Sequence, residues 1–476
     1  MRFLLDQQNR DGSWGAPDGY GVLPTLSTTG ALLSMLRGPP AANGSVIGRH
    51  RMIDSAGRGL NRLAGWLNTG ATVSLPDTVA VEILVPYLVG EINEFLAGHP
   101  PPELPHECRR RLNDHPDTDR RLLTTLRAAA AAGEALPTKL MHSFEAFGDA
   151  GAMRSVEPKN DGIGCSPAAT AVWLSDPARR TRHLPTLRYL RAVQDRDNGA
   201  VPVAAPLATF ERAWVLSTLA GVGLVPPGHR RLARQLHSAF GEFGVAAGPG
   251  LPADADDTAV ALCALARLGS ARSPDCLLAY QQSDGHFACF PGERTPSCSA
   301  NAHVLQAFGA CLATDPARSS RYRGTMARLA AWLIDHQAAN GSWQDKWHAS
   351  PYYATACCVL ALADRGDDRA ADALDRAAEW VLDTQRPDGS WGRWTGTPEE
   401  TAYAIRVLCG SKTVGSRDAT TRAIAAGRAR LLPMDEQAPQ PSLWHDKDLY
   451  TPIRIVRAER LAALRMADVH LRVAGG

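Results

Sequence analysis

No stretch of this sequence approaches the roughly 20 consecutive apolar residues that a membrane-spanning helix needs, and the mean hydropathy is −0.20. An excess of one charge is also missing. The 51 Lys and Arg are balanced by 49 Asp and Glu, a formal net charge of +2. That argues against a nucleic-acid or membrane-surface binder. The N-terminus, MRFLLDQQNRDGSWG, has no signal-peptide apolar region, and a soluble cytoplasmic protein is expected. No Cys-x-x-Cys pair occurs among the ten cysteines, and only Cys357 and Cys358 are adjacent. Neither a zinc ribbon nor a disulfide framework is therefore expected. Alternating apolar and polar runs, the mark of half-buried strands, are almost absent.

What is present is helical periodicity. In LAAWLIDHQ, AAEWVLDTQ and TAYAIRVL, apolar residues recur at three- and four-residue spacing, which predicts an all-α protein. At ~100–200 residues per domain, 476 residues allow two to four domains. A repeated unit organises them: LLDQQNRDGSWG (4–15), LIDHQAANGSW (333–343) and VLDTQRPDGSWG (381–392). In each, a Gln precedes a Trp by six positions: Gln8 and Trp14, Gln337 and Trp343, Gln385 and Trp391. Weaker copies occupy 190–202 and 277–290. The unit predicts a helix ending at Gln, a Gly turn that supplies a left-handed residue, and a Trp that stacks on the Gln amide and clips neighbouring helices. It speaks to fold, not chemistry. Segments 96–120 and 432–443, rich in Pro, predict surface loops.

The chemistry is concentrated in GLPADADDTAVALCA (250–264). One Asp before an apolar helix is an ordinary cap. Asp254, Asp256 and Asp257 together repel, and repulsion raises at least one pKa. A carboxyl kept neutral in this way can protonate a poor base such as an alkene.

Asp-x-Asp-Asp-Thr-Ala together with the Gln/Trp units resembles class II terpene cyclases. Further stretches narrow the resemblance to the bacterial class II diterpene cyclases that make terpentedienyl, halimadienyl and copalyl diphosphates. They are LPDTVAVEILVPYL (75–88), LPTKLMHSFEAF (136–147), FERAW (210–214), NAHVL (301–305), DKWHASPYYATA (345–356), PEETAYAI (398–405) and LWHDKDLYTP (443–452). Relatives usually carry a Tyr-Asp-Thr-Ala-Trp-like helix before the first repeat, whereas this sequence opens at that repeat.

The resemblance implies two α/α barrels of the terpene cyclase beta-gamma type, with the active site between them. Residues 1–190 would form the inserted barrel and 191–476 the catalytic one. It implies protonation-initiated cyclisation of geranylgeranyl diphosphate to a bicyclic diphosphate of clerodane or halimane type, or of copalyl type. A downstream class I terpene synthase would consume the product. Asp256 matches the general acid, with Asp254 and Asp257 tuning it and Asn301 hydrogen-bonded to it. Lys346 and Lys447 match diphosphate-binding positions, and Glu82 a carboxylate tied to magnesium and diphosphate. Trp347, Tyr352 and Tyr353, with Trp214, lead the aromatic pool for holding carbocations. His142 matches a terminating base, but Val203 stands where its partner Asn would be, which implies proton loss only after rearrangement. Three readings compete. Class I ionisation would need an Asp-rich motif, and DDRAAD (367–372) has the wrong spacing. A farnesyl diphosphate cyclase giving drimenyl diphosphate is the nearest enzymatic alternative. A catalytically inactive helical-repeat binding protein would show the same periodicity, but not the intact acid motif.

Overall fold

The Gln/Trp units set the helix boundaries. In the computed structural model, which describes residues 2–37, 46–69, 73–98, 100–147, 156–196, 200–363, 368–411, 417–433 and 440–474, each strong unit makes the same four bonds. The Gln amide nitrogen donates to the Gly-turn carbonyl four residues on and to a carbonyl of another helix: Gln8 to Gly12 and Ser55, Gln337 to Gly341 and Ala373, Gln385 to Gly389 and Ala423. The Trp indole N–H donates back to a carbonyl ten residues earlier, at 2.7 Å in all three cases. The Trp backbone N–H is taken by a Thr hydroxyl of the next helix, Thr25, Thr355 or Thr401. Hydrogen bonds at the freed helix ends thus clip each unit to its neighbours. Gly341 has φ +91°, and a Cβ there would lie 2.3 Å from the Arg376 carbonyl oxygen, so the turn requires glycine.

The chain divides into two units. The first comprises Met1–Pro206, Pro249–Leu251 and His445–Tyr450; the second comprises Leu207–Gly248, Pro252–Trp444 and Thr451–Gly476. The first unit holds α1 (Arg2–Asp6), α2 (Val22–Leu36), α3 (Val46–Leu67), α4 (Val81–Ala97), α5 (Arg120–Ala131), α6 (Pro167–Trp173), α7 (Pro177–Arg182) and α8 (Leu184–Arg196). Residue 190 falls inside α8, whose Tyr189 hydroxyl donates to the Ala205 carbonyl. The expected seam therefore moves from 190 to beyond that helix. The core is built on α2 to α4, with Trp14, Leu26, Leu33, Ile92, Phe147 and Trp173 buried in it. The described part of segment 96–120 is a largely exposed, irregular stretch between α4 and α5, as expected of a surface loop, but it is pinned down at a few apolar side chains. Leu104, Cys108 and Leu112 join that core, held by a reciprocal pair between Asn93 and the Leu112 backbone. Half of segment 432–443, residues 434–439, lies outside the described residues.

The second unit holds α9 (Ala208–Gly221), α10 (His229–Ser238), α11 (Ala255–Arg267), α12 (Cys298–Thr314), α13 (Ser319–Asp335), α14 (Pro351–Leu362), α15 (Asp368–Asp383), α16 (Pro398–Gly410), α17 (Arg417–Leu431) and α18 (Ile453–Ala474). Helices α9, α11, α12, α14, α16 and α18 pack each on the next, and α18 returns to α9, closing a ring. Helices α10, α13, α15 and α17 pack outside it. The sequence explains the split. The inner α14 is apolar on every side and buried from Tyr352 to Val359, whereas the outer helices carry one apolar stripe. The Gln clips join successive outer helices, α13 to α15 and α15 to α17. The one sheet among the described residues is the pair Trp444–His445 and Leu449–Tyr450. Among the described residues no helix is long and apolar enough to cross a membrane.

Candidate active site

The acid turn opens the inner helix α11. Asp254 is its N-cap, with its Oδ1 accepting from the Asp257 backbone N–H at 2.7 Å. Asp254 and Asp257 are three residues apart, so they share a face of the first turn. All three carboxylates are buried. Burial pushes Asp254 up to about 7 and Asp257 well above the usual carboxylate range, and the two side chains hydrogen-bond to each other. That face holds a shared proton, because two buried carboxylates in contact cannot both ionise. Asp256 projects from another face, where His303 Nδ1 donates to its Oδ1 at 2.7 Å. Burial opposes a charge on His303, but the Cys357 sulfur and the Asp256 carboxylate outweigh it and hold the ring well above its ordinary value.

The expected bond from Asn301 to the acid is absent. Asn301 Oδ1 accepts from the Phe287 N–H, and Nδ2 donates to the carbonyls of Phe287 and Ser297. It clamps backbone instead. Two residues further along α12, on a different face, stands His303. The signal available in the sequence was a His in the otherwise apolar NAHVL run.

Aromatic rings continue from His303 through the second unit. Trp214 meets the His303 ring edge-on at 5.5 Å. Tyr353 lies 6.4 Å from His303, 4.8 Å from Trp444 and 4.8 Å from His348. Phe210 packs on both Trp214 and Trp444. Trp214 Nε1 and the Tyr353 hydroxyl are buried without a hydrogen-bond partner. Trp347 stands beside the acid turn: its indole N–H donates to Cys289 Sγ, and the Cys289 carbonyl accepts from Ala255 N–H. Tyr352 does not belong to this group. It stacks on Trp380 of the outer helix α15 at 4.6 Å. Adjacent residues on a helix point about 100° apart, so Tyr352 and Tyr353 cannot face the same way. Phe210, His348 and Tyr403 enter the cluster without having been expected.

The two candidate diphosphate-binding lysines lie in different units. In the second unit Lys346 pairs with Glu293, donates to the Thr295 carbonyl at 2.7 Å and sits 5.0 Å over the Trp347 ring. In the first unit Lys447 pairs with Glu145 at 2.6 Å and donates to the Ser166 hydroxyl at 2.7 Å. Val203 is half-buried in the first unit. Glu82, also half-buried there, stands in the first turn of α4.

His142 has a partner after all. Its Nδ1 faces the Gly164 carbonyl at 2.6 Å and its Nε2 the Asp446 carboxylate at 2.8 Å. Burial would raise Asp446, but His142 and Lys447 outweigh it and hold the carboxyl below its usual range. Both ring nitrogens are engaged by protein oxygens, so neither stands open to a substrate proton. The reason against His142 as terminating base is therefore not a missing partner but an acceptor on each side. His142→Ala is expected to slow turnover and leave the product skeleton unchanged, checked by the product profile; a clean switch of skeleton would contradict it.

Comparison with known proteins agrees with this geometry. The squalene-hopene cyclase C-terminal domain family matches residues 294–431. An ent-copalyl diphosphate synthase from Streptomyces sp. (strain KO-3988) is 44% identical over 475 residues, covering 98% of this chain and 87% of the relative. A terpentedienyl-diphosphate synthase from Kitasatospora griseola is 36% identical over 471 residues, covering 95% and 90%. The solved ent-copalyl diphosphate synthase from Streptomyces platensis superposes with a TM-score of 0.90 at 43% identity, covering 98% and 91%. The fold is the double α/α-barrel terpene cyclase fold. The chain belongs to the bacterial class II diterpene cyclases, which are isomerases.

Proposed function

We propose that this protein protonates the terminal alkene of geranylgeranyl diphosphate and closes it to a bicyclic diterpenyl diphosphate that keeps its diphosphate. The observation that carries the reading is the buried Asp254, Asp256 and Asp257 turn, with His303 behind Asp256 and rings beyond it. Asp256 is the general acid. The His303 contact on Oδ1 fixes the carboxyl's orientation and leaves the other oxygen to present the proton. That O–H bond breaks as a C–H bond forms on the alkene. The electron pairs of the inner alkenes close the rings, and the last cation loses a proton to restore an alkene. Asp254 and Asp257 hold a further proton beside the acid. Ring faces stabilise the positive charge and exclude water.

Lys346 and Lys447 supply cations for the diphosphate, each exchanging its carboxylate partner for phosphate oxygens. Among the described residues no three His, Cys, Asp or Glu side chains form a metal-binding group, so a resident ion finds no cage. Glu82 alone fits a magnesium ion that arrives with the substrate, because magnesium is held by one or two carboxylates plus phosphate oxygens. Such an ion would offset the diphosphate charge.

A clerodane or halimane skeleton is favoured, since neither His142 nor Val203 offers a base and the cation has time for methyl and hydride shifts. A copalyl skeleton is the second reading, supported by the 44% identity to an ent-copalyl diphosphate synthase. The product suits a downstream class I terpene synthase, and the chain suits the cytoplasm. The test is incubation with geranylgeranyl and farnesyl diphosphates, then phosphatase and mass spectrometry. A bicyclic C20 alcohol is expected, with weaker turnover under chelation and no free pyrophosphate. Stoichiometric pyrophosphate would overturn the retained diphosphate; a C15 product alone would overturn the substrate.

A further inference from the structure

Three side chains of the second unit converge on one carboxylate oxygen. Glu399 Oε1 accepts from the Trp444 indole N–H at 2.7 Å, from His348 Nε2 at 3.2 Å and from the Tyr403 hydroxyl at 3.2 Å. Glu399 is only 2% exposed. Capping of α16 does not need it. Thr397 Oγ1 accepts from the Glu400 N–H at 3.0 Å and donates to Glu400 Oε2 at 2.8 Å, so Thr397 caps the helix with Glu400 as its partner. His348 reaches Glu399 through Nε2, while its Nδ1 lies 3.0 Å from the Ser350 N–H and 3.3 Å from the Ser350 carbonyl. Among the described residues no Lys or Arg reaches Glu399; its carboxylate oxygen is met by an indole, an imidazole and a phenol, and it stands in the first turn of α16.

A buried charge ordinarily keeps a partner. The rings on Glu399 indicate what visits it. Trp444 and His348 both pack on Tyr353, and Tyr353 packs on His303, the partner of Asp256. One continuous set of rings therefore runs from the acid to Glu399. Protonation leaves positive charge beside the new Asp256 carboxylate. Each ring closure moves that charge along the substrate, away from the acid. A second fixed anion further along the same rings stabilises the charge after it has moved, and does so strongly where water is excluded.

Resting on the cyclase reading above, we propose that Glu399 is the counter-charge that fixes where the final carbocation settles, and so determines from which carbon the proton leaves. Glu399 takes no proton in this step. It acts through space and through the orientation of Trp444 and His348, which makes it a specificity-determining residue.

The test is the product profile from geranylgeranyl diphosphate of wild type, Glu399→Gln and Glu399→Asp. Glu399→Gln keeps the shape and an acceptor oxygen but removes the charge. It is expected to consume substrate about ten- to a hundredfold more slowly, below the loss typical of a direct transition-state donor. Its product should spread over several skeletons with none dominant. Glu399→Asp keeps the charge and should retain the wild-type skeleton. An active wild type whose Glu399→Gln variant yields the same skeletons in the same proportions overturns this inference alone. A wild type that consumes neither C20 nor C15 prenyl diphosphate overturns the underlying reading instead. If Glu399→Gln does not accumulate as folded protein, Glu399→Asp decides by itself: a retained skeleton supports the counter-charge and a complete switch overturns it.

Discussion

Asp256→Asn is expected to abolish cyclisation and leave the fold intact. An amide cannot deliver a proton to an alkene, and removal of a general acid costs roughly 10²–10⁴-fold or more in rate. The fold should survive because the amide oxygen still accepts from His303 Nδ1, now 2.7 Å from Asp256 Oδ1, and because Asp254, not Asp256, caps α11. The readouts are turnover of geranylgeranyl diphosphate beside an unchanged helical circular dichroism spectrum. Near-normal turnover by the folded variant would refute the assignment. The neighbouring pair sets a pH limb. Burial raises Asp254 from 3.8 to about 7, so as pH rises through that value the pair passes from two protons to the one it shares, and wild-type turnover should fall. Stability follows the same sign: the folded state binds this proton more tightly than the unfolded chain, so the contribution is full below about pH 4 and disappears as pH rises through about 7.

Glu459→Ala is expected to give the largest loss of stability. Glu459 lies on α18, accepts from the Thr218 hydroxyl of α9 at 2.7 Å and pairs with Arg406 of α16. Since α9 is the first and α18 the last inner helix, this carboxylate closes the ring. Burial alone would lower the pKa of Arg406, and Glu459 more than restores it. Removing the carboxylate strands a buried guanidinium, which costs about 3–5 kcal/mol. The same residues line a small cavity of about 40 Å³ with Thr218 and Tyr353, room for about one water that can relieve part of that cost. The denaturant midpoint of the second unit measures the loss. Glu459→Ala combined with Arg406→Met should recover much of it, because replacing both partners leaves no unpaired charge. An unchanged midpoint in the single variant would contradict the closure role.

Several features were legible because they depend on neighbours in the chain. Gln337, Gly341 and Trp343 lie within seven positions, and their turn, hydrogen bonds and left-handed glycine all follow from that spacing. The acid turn was legible for the same reason: Asp254 caps the helix that Asp257 faces three residues later. The partners of the charged groups were not. Lys346 finds Glu293 across 53 positions, and Lys447 finds Glu145 across 302. His142 finds Asp446 across 304, so a missing Asn opposite it carried no weight. The anchors of the Pro-rich surface stretch were not legible, because Leu104, Cys108 and Leu112 show no helical period to mark a buried face.

The sequence by itself determined the helices, their stops, the all-α class and the carboxylate turn, since each is fixed by dihedral preference and bonds between near neighbours. Only the tertiary structure decided that His303 rather than Asn301 holds Asp256, that Tyr353 rather than Tyr352 joins the rings, and that Glu399 stands among them bound by Trp444, His348 and Tyr403. The physical reason is rotation about the helix axis. Successive residues differ by about 100°, and where every face of an inner helix is apolar, as in α14, no local pattern states which face meets the acid. Packing around the closed ring sets that angle.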